Sequence, residues 1–517
     1  MDEAMGCGGH VGSARLAAIE AALLPVWRSL PKIAHQRVER QSLRYLVHRY
    51  FSKKAALLVR GFEPSRSSSA SVADILSQRV PRFVESVLES RHAQEYGFDL
   101  QDAAQVVAML EQVIYDTEST LLEKVYQQQR RPASQSLGKA ALGDLLEEYL
   151  VRWMMGDDVD GAAALLANRT FLASAFPHWA LLSEFVRGEI RALEFRRLHS
   201  PRDAPRAGRN ALIQRFSFED VHSIVGGITG SFASFWESEC ATMKATLMEM
   251  DTQGTGRVPL SRFYSSALDS EWRFGESESY LRELGVLDES SSWRGKQVVI
   301  PNYMQAASNC IVSAPHYLVC CINECDTLRG ELEEALQAPS AAPSAILALV
   351  ANMTSQTTVD HDDPPVIRGA LMQQLEQIAE VHAGTVPLHG RLFAQWLHYA
   401  FPRECAFPHR RGATLAVTPG EFGSTYLATG EEMERHAATF DAAAELESQN
   451  ATWMSQWSPE EELLSELFQV QGAWTMGGRL VVGSAVLLVL AAVGVVSLGK
   501  SAGGVTLLPT HQKSHFV

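Results

Sequence analysis

The sequence predicts a mainly α-helical protein that has a multi-helical head and one C-terminal transmembrane helix. Apolar residues recur at helical spacing between residues 13 and 198, and the same spacing returns from Phe232 onward. Polar stretches rich in proline, glycine and serine separate these helical patterns. Residues 480–499 contain no charged side chain, and a helix of that length is long enough to cross a bilayer.

The composition excludes one class of function. The chain has 45 Lys and Arg residues against 60 Asp and Glu residues, which gives a net charge of −15. A protein of this charge repels nucleic acid, so we expect no nucleic-acid partner. Seven cysteines are an odd number and a low density for 517 residues. This argues against a disulfide-built scaffold and fits a mostly reducing compartment.

The first part of the chain, residues 1–200, is predicted to be an all-helical domain of unknown role. We find no motif in it that carries chemistry. Residues 201–231 are predicted to be a linker and connecting segment, because proline and arginine are frequent between residues 198 and 208. The helical spacing of the first domain is clearest in two groups: Leu43, Leu46, Val47, Tyr50 and Phe51, then Leu145, Leu146, Tyr149 and Leu150.

A helix–loop–helix unit is predicted to begin at Phe232. Each of its two helices has one apolar face, and the loop between them runs from Asp251 to Val258. Pro259 suits the first turn of the second helix, because the N–H that proline lacks is not needed there. The apolar faces are Trp236, Cys240, Met243, Leu247 and Met250 in the first helix, and Leu260, Phe263, Tyr264, Ala267 and Leu268 in the second.

The loop of this unit resembles the calcium-binding loop of the EF-hand family. Asp251 stands at position 1, Gly256 at position 6 and Val258 at position 8. EF-hands normally occur in pairs, and a helix, a turn-rich loop, an apolar strand at 298–300 and a further helix supply a second unit. We therefore predict an EF-hand-like pair over residues 232–312, whose loops join through a short two-stranded bridge.

The resemblance also implies a set of calcium ligands. Asp251, Gln253 and Thr255 would offer side-chain oxygens, and Arg257 would offer its backbone carbonyl. Position 12, where the family has a bidentate glutamate, is Arg262 in this sequence. We therefore predict a degenerate pair that keeps the EF-hand scaffold with no certain cofactor. A genuine calcium sensor at the 251–262 loop is the alternative.

Residues 313–400 are predicted to form a helical region with a vestigial helix–loop–helix unit. The segment Gly256–Leu260 recurs in outline at Gly384–Leu388, and an amphipathic helix follows each copy. Cysteine and histidine residues between 310 and 409 also suggest a zinc site or a scattered enzyme site. Buried thiols on a helix over 313–336, or disulfides if the head is lumenal, are the alternatives. The residues concerned are Cys320, Cys321, Cys325, Cys405 and His409.

The segment before the uncharged run is predicted to contain a linker and a short helix. Residues 401–457 are rich in proline, glycine and threonine, which favours irregular structure. The sequence Ser-Pro-Glu-Glu from Ser458 is a capping box with proline at the first helical position, so it predicts an amphipathic helix over 458–476. The acidic face of this helix disfavours an anionic lipid surface.

The uncharged run over 480–499 is predicted to be a single transmembrane helix that contacts the lipid bilayer. Arg479 and Lys500 flank it, and Trp474 lies at the depth where aromatic rings favour lipid headgroups. The short tail, residues 500–517, makes the chain resemble a single-pass tail-anchored protein with a cytosolic head.

A lumenal head is the alternative orientation. The N-terminus opens with acidic residues where a secretory signal would be basic, which favours the cytosolic head. Three glycosylation sequons would matter only if the head were lumenal, and they begin at Asn168, Asn352 and Asn450.

The predicted function is that of a membrane-anchored adaptor or calcium-pathway component. The sequence contains no phosphate-binding loop, no nucleophile elbow, no HExxH pattern and no kinase signature, so we predict that the protein is not an enzyme. A large ordered head without a catalytic motif favours binding to a protein partner, whose identity the sequence does not give.

Overall fold

The computed structural model confirms the prediction of a mainly α-helical protein. It describes residues 12–63, 96–156, 158–176, 178–199, 215–269, 273–290, 295–353, 365, 367, 369–438 and 454–465.

Most helices of the first half surround one large apolar core, in which Leu146 is fully buried, and the two short helices that contain Leu165 and Leu172 pack in a smaller apolar cluster. Two helices of the first half begin at capping boxes, one at Asp99 and one at Ser217. In each box, the side chain of the cap residue accepts the backbone N–H of the aspartate three residues later, and the side chain of that aspartate accepts the backbone N–H of the cap residue. The helices are α1 (Ser13–Ser29), α2 (Arg40–Ala55), α3 (Leu100–Gln128), α4 (Lys139–Met155), α5 (Val159–Ala167), α6 (Arg169–Ala175), α7 (Trp179–His199) and α8 (Phe218–Met250).

The helices of the second half are shorter and pack around two further apolar cores. One core contains Phe263 and Ile300, and the other contains Leu375 and Trp396. The helices are α9 (Leu260–Asp269), α10 (Glu278–Glu283), α11 (Ile300–Met304), α12 (Glu324–Leu336), α13 (Pro343–Val350), α14 (Gly369–Val381), α15 (Arg391–Ala400), α16 (Pro419–Phe422) and α17 (Gly430–Ala437).

The strands of the described residues are all short, and each pairing between them is antiparallel. Within these parts of the chain they form two three-stranded sheets, in the orders β1-β8-β7 and β4-β6-β5, and two pairs, β2-β3 and β9-β10. The strands are β1 (Leu57–Val59), β2 (Leu137–Gly138), β3 (Arg215–Phe216), β4 (Arg257–Pro259), β5 (Leu287–Asp288), β6 (Gln297–Val299), β7 (Val312–Ser313), β8 (Tyr317–Val319), β9 (Ser340–Ala341) and β10 (Val386–Pro387).

Three of these pairings each join two units of the form helix, loop, strand, helix. Strand β4 pairs with β6, and Val258 lies opposite Val298, so the predicted bridge between the two loops is present and gains β5 as a third strand. Leu137 lies opposite Phe216 in β2-β3, and Val386 lies opposite Ala341 in β9-β10. The segment that we predicted as a vestigial unit is thus paired with a partner unit.

Two predicted boundaries before residue 340 are wrong. The predicted linker 201–231 includes β3 and the first turns of α8, because Val221, Ile224, Val225 and Ile228 bury one helical face after the Ser217 cap. The predicted helix over 313–336 begins only at Glu324, because residues 317–319 form strand β8, which pairs with β1.

Two predictions after residue 400 are also wrong. The predicted linker 401–457 contains α16 and α17, which begin at Thr418 and Thr429 caps. The described residues 458–465 form no helix. Instead, the side chain of Gln395 hydrogen-bonds to both backbone groups of Ser458. Its amide oxygen accepts the N–H at 2.9 Å, and its amide nitrogen donates to the carbonyl at 3.0 Å.

The proposed membrane segment 480–499 and the tail 500–517 lie outside the described residues, as do residues 466–476 of the predicted amphipathic helix. Among the helices that the structure does describe, none combines the length and apolar character that a bilayer crossing requires.

Candidate functional site

The loop after α8 is built around the buried carboxylate of Asp251, which lies at the C-cap of that helix. One carboxylate oxygen accepts the backbone N–H of Thr255 at 3.0 Å, and the other accepts that of Gly256 at 2.8 Å. These bonds turn the chain back toward β4, so the side chain that we predicted as the first calcium ligand organises the loop.

A guanidinium group approaches the same carboxylate. Arg403 Nε lies 3.3 Å from Asp251 Oδ2, and Arg403 Nη2 donates to the Asp251 backbone carbonyl at 3.4 Å. The Asp251 side chain is 1% exposed and that of Arg403 is 24% exposed, so the carboxylate is buried while the guanidinium stays partly in contact with water. Arg403 was not predicted as a site residue, because it lies 152 residues from Asp251 in the sequence.

Gly256 permits this approach. Its φ is +71°, and a Cβ added there would lie 1.9 Å from the Pro402 carbonyl oxygen. A side chain at position 256 would therefore displace the segment that carries Arg403. The glycine that resembles the EF-hand turn residue also makes room for an arginine from a distant segment.

Arg257 joins the two loops of the pair through its side chain. Its Nε lies 2.8 Å from Asp288 Oδ2, and both side chains are almost fully buried, at 4% and 2% exposure. Arg257 Nη1 also donates to the Thr255 carbonyl at 3.2 Å, and Nη2 donates to Gln456 Oε1 at 2.7 Å. We predicted only the backbone carbonyl of Arg257 as a ligand, whereas its guanidinium links the first loop to the second.

Arg262, at position 12 of the loop, also contacts the end of α8. Its Nη1 donates to the Met250 carbonyl at 3.0 Å. A cation at this place stabilises the C-terminal end of the helix, where unpaired carbonyls carry partial negative charge.

These groups do not fit calcium. The ion takes six to eight oxygens, and this loop type normally supplies two of them from an acidic residue at position 12. Of the predicted ligands Asp251, Gln253, Thr255 and Arg257, only Asp251 is a carboxylate, and Arg403 bonds to it. Within the described parts of the chain, no group of three or more His, Cys, Asp or Glu side chains is placed to hold a metal ion.

Six cysteines in the described part of the chain form three disulfides. Cys240 bonds Cys321, Cys310 bonds Cys320 and Cys325 bonds Cys405. The bonded sulfurs are not thiolates, which a zinc site would require, so we do not retain the zinc alternative. The prediction of a mostly reducing compartment also disagrees with three disulfides in one head.

A cavity of about 420 Å³ lies along α8, next to the Cys240–Cys321 disulfide. The ammonium of Lys244 contacts Glu324 at 2.6 Å. Burial is the main cause that raises the pKa of Glu237 and of Glu404. The charged residues that line the cavity are Glu237, Glu249, Glu324, Glu404, Lys244 and Arg403, so acidic groups outnumber basic ones.

A second buried charge cluster lies between α2 and α12, and the sequence reasoning did not find it. Arg49 contacts both Asp326 and Glu333, and Tyr45 donates its hydroxyl to Glu333 at 2.8 Å. Burial opposes ionisation of Glu333, but His389 and Arg49 outweigh it and lower the pKa of Glu333 to about 2. The cluster ties the first half of the head to the second.

Comparison with known proteins gives no relative for this chain. No family model matches it, and neither a curated protein nor a solved structure does. The resemblance to the EF-hand family therefore depends on the residues of the 251–262 loop and remains a prediction. What the geometry adds is a loop whose acidic group bonds to an arginine from another part of the chain.

Proposed function

We propose that the head is a calcium-independent protein-binding module, which acts as an adaptor and is not an enzyme. The observation that supports this best is the contact of Arg403 with Asp251. In EF-hand sensors, the arrival of a calcium ion changes the angle between helices and exposes a groove. Here the cation belongs to the chain itself, so the pair is held in one arrangement at all calcium concentrations.

The cavity along α8 is the binding site in this proposal. Its volume of about 420 Å³ lies within the range of roughly 300–1,000 Å³ that ligand pockets occupy. Methionines Met248 and Met304 supply adaptable apolar contacts to the same cavity. Such a surface suits a side chain that inserts from a partner protein.

The charge of the cavity favours a basic side chain on that partner. Four glutamates face Lys244 and Arg403, and Lys244 already contacts Glu324. A lysine or arginine that enters would stabilise the ionised forms of Glu237 and Glu404, whose pKa values burial raises. Binding is therefore expected to release protons and to strengthen as the pH rises.

Attachment to a membrane through residues 480–499 is part of the same proposal. The uncharged run supports it, since soluble helices rarely extend so far without a charge. The anchor would hold the binding module at a bilayer and concentrate its partner there.

The test is affinity capture with the full chain, extracted from membranes of the cells that make it, in calcium and in EGTA. Ala245→Trp fills the cavity from an exposed position of α8, and Ser238→Trp places the same side chain on that helix outside the cavity. We expect one set of proteins to be recovered by the wild type and by S238W in both buffers, and recovery to fall at least about tenfold with A245W.

A carbodiimide cross-linker, which joins carboxylates to lysines, should then couple a cavity glutamate to a lysine of the recovered protein. Equal recovery by A245W, or recovery that is lost in EGTA, would contradict the proposal. Circular dichroism of each variant checks that the head is folded.

A further inference from the structure

The three disulfides indicate the compartment in which the head folds. Their cysteines are separated by 81, 10 and 80 residues, so two of the bonds close long loops of the chain. Disulfides of this kind persist in oxidising environments and are rare where thiols are kept reduced. This favours the lumenal or extracellular orientation over the cytosolic one that the sequence suggested.

Asn168, the first residue of a sequon, is exposed in the same head. It caps helix α6, and its Oδ1 accepts the backbone N–H groups of Thr170 at 3.0 Å and Phe171 at 3.2 Å. Both bonds use the amide oxygen, so the cap does not depend on the amide nitrogen. Thr170, the hydroxyl residue of the sequon, is exposed as well.

Asn352 is the second sequon residue in the described chain, and it is exposed just beyond α13. Its Nδ2 donates to the Ala348 carbonyl at 2.9 Å. An amide nitrogen with one substituent keeps one N–H, so this bond and a glycan are compatible. Asn450, the third sequon residue, lies outside the described residues.

We propose that Asn168 carries an N-linked glycan, and that Asn352 carries a second one, in an oxidising secretory compartment. In this reaction Asn Nδ2 attacks the anomeric carbon of an oligosaccharide carried on a lipid diphosphate. The new N–C bond forms as the C–O bond to the diphosphate breaks. The lipid diphosphate leaves with the electron pair, and the proton of Nδ2 passes to a base of the transferase.

One feature of Asn168 makes it the better acceptor. Its amide nitrogen lies on the exposed start of a helix, whereas the amide nitrogen of Asn352 must keep its hydrogen bond to Ala348 in the remaining N–H direction. The proposal does not depend on the binding function of the α8 cavity.

The test uses the protein isolated from the cells that make it. Peptide-N-glycosidase treatment in heavy-oxygen water converts each glycosylated asparagine to a labelled aspartate, which mass spectrometry locates. We expect the label at Asn168 and Asn352, and none at Asn302 and Asn309, which are not in sequons. Alkylation without reduction should leave the six disulfide cysteines unlabelled.

Two substitutions at Thr170 separate the modification from the fold. Thr170→Ala removes the hydroxyl that the transferase requires and should abolish the label at Asn168, while Thr170→Ser keeps that hydroxyl and should retain it. An unmodified Asn168 peptide in the native protein, or free thiols at the six cysteines, would overturn the proposal.

Discussion

The guanidinium of Arg403 reaches the carboxylate of Asp251 from a segment that folds back over the loop. A positive charge that is part of the chain needs no uptake from solution, so we expect its contact with Asp251 not to vary with calcium concentration. Arg257 also supplies a positive charge from the chain, between the two loops, where it bonds to the buried carboxylate of Asp288. Removing one partner of such a buried pair leaves the other charge unpaired and costs about 3–5 kcal/mol.

Glu118 is a residue whose charge the fold opposes. It lies on α3, is 4% exposed, and burial raises its pKa from 4.5 to about 7. The folded protein therefore holds a proton there that the unfolded chain releases between these two values. Since the native state binds more protons in that window, its stability falls as the pH rises through it.

Glu118→Gln removes this titration. We expect the variant to gain stability relative to the wild type by about 3 kcal/mol between about pH 5 and about pH 9, because the neutral amide has no charge to desolvate. Urea unfolding of both proteins at the two pH values measures the difference. A gap between the two proteins that does not change with pH would contradict the account of Glu118.

At the scale of elements, the described chain repeats one structural arrangement. Strands β2-β3, β4-β6 and β9-β10 each join two helical units through a short antiparallel ladder. In the central pair, the ladder is reinforced by the Arg257–Asp288 contact and by the approach of the Pro402–Arg403 segment to the loop.

Glycine positions in the first loop test this approach directly. Gly254 and Gly256 both have positive φ, but a Cβ at Gly254 would come no closer than 3.9 Å to the Arg403 side chain, whereas one at Gly256 would meet the Pro402 backbone. We expect Gly254→Ala to lower the free energy of unfolding by about 1 kcal/mol and Gly256→Ala by at least about 3 kcal/mol. If urea unfolding gave equal losses of stability for the two variants, the close contact between Gly256 and the Pro402 backbone would not be needed for the fold.

Sequence patterns found the elements that local chemistry determines. The β4-β6 bridge was predictable, because Val258 follows a loop with an aspartate and a glycine at fixed spacing. Helix α8 was predicted to begin too late, because Gly226, Gly227 and Gly230 lie in its first half and weaken the helical pattern.

Long-range contacts were not predictable from spacing. Cys240 and Cys321 are 81 residues apart, and no local pattern selects one cysteine partner over another. The capping box at Ser458 predicts a helix from four residues, yet Gln395 supplies hydrogen bonds that compete with it. The same holds for the candidate site: the sequence predicted Asp251, whereas the contact of Arg403 with it could be found only from the three-dimensional structure.

At the scale of the whole molecule, buried ion pairs and disulfides join the parts of an acidic head. The described residues up to Leu464 belong to one compact unit. Disulfides Cys240–Cys321 and Cys325–Cys405 close loops of about 80 residues, and each is expected to stabilise the fold by about 4 kcal/mol. These cross-links and the arginines favour one arrangement, which we expect to be kept without a metal.

Calorimetric titration of the full chain with calcium chloride, paired with thermal unfolding in calcium and in EGTA, tests this claim most directly. We predict a titration without binding heat and equal unfolding midpoints in the two buffers. Arg403→Gln should lower the midpoint equally in both, because it removes a contact that calcium does not replace. Saturable binding heat together with a higher midpoint in calcium would contradict the account, since a ligand that binds the folded state stabilises it.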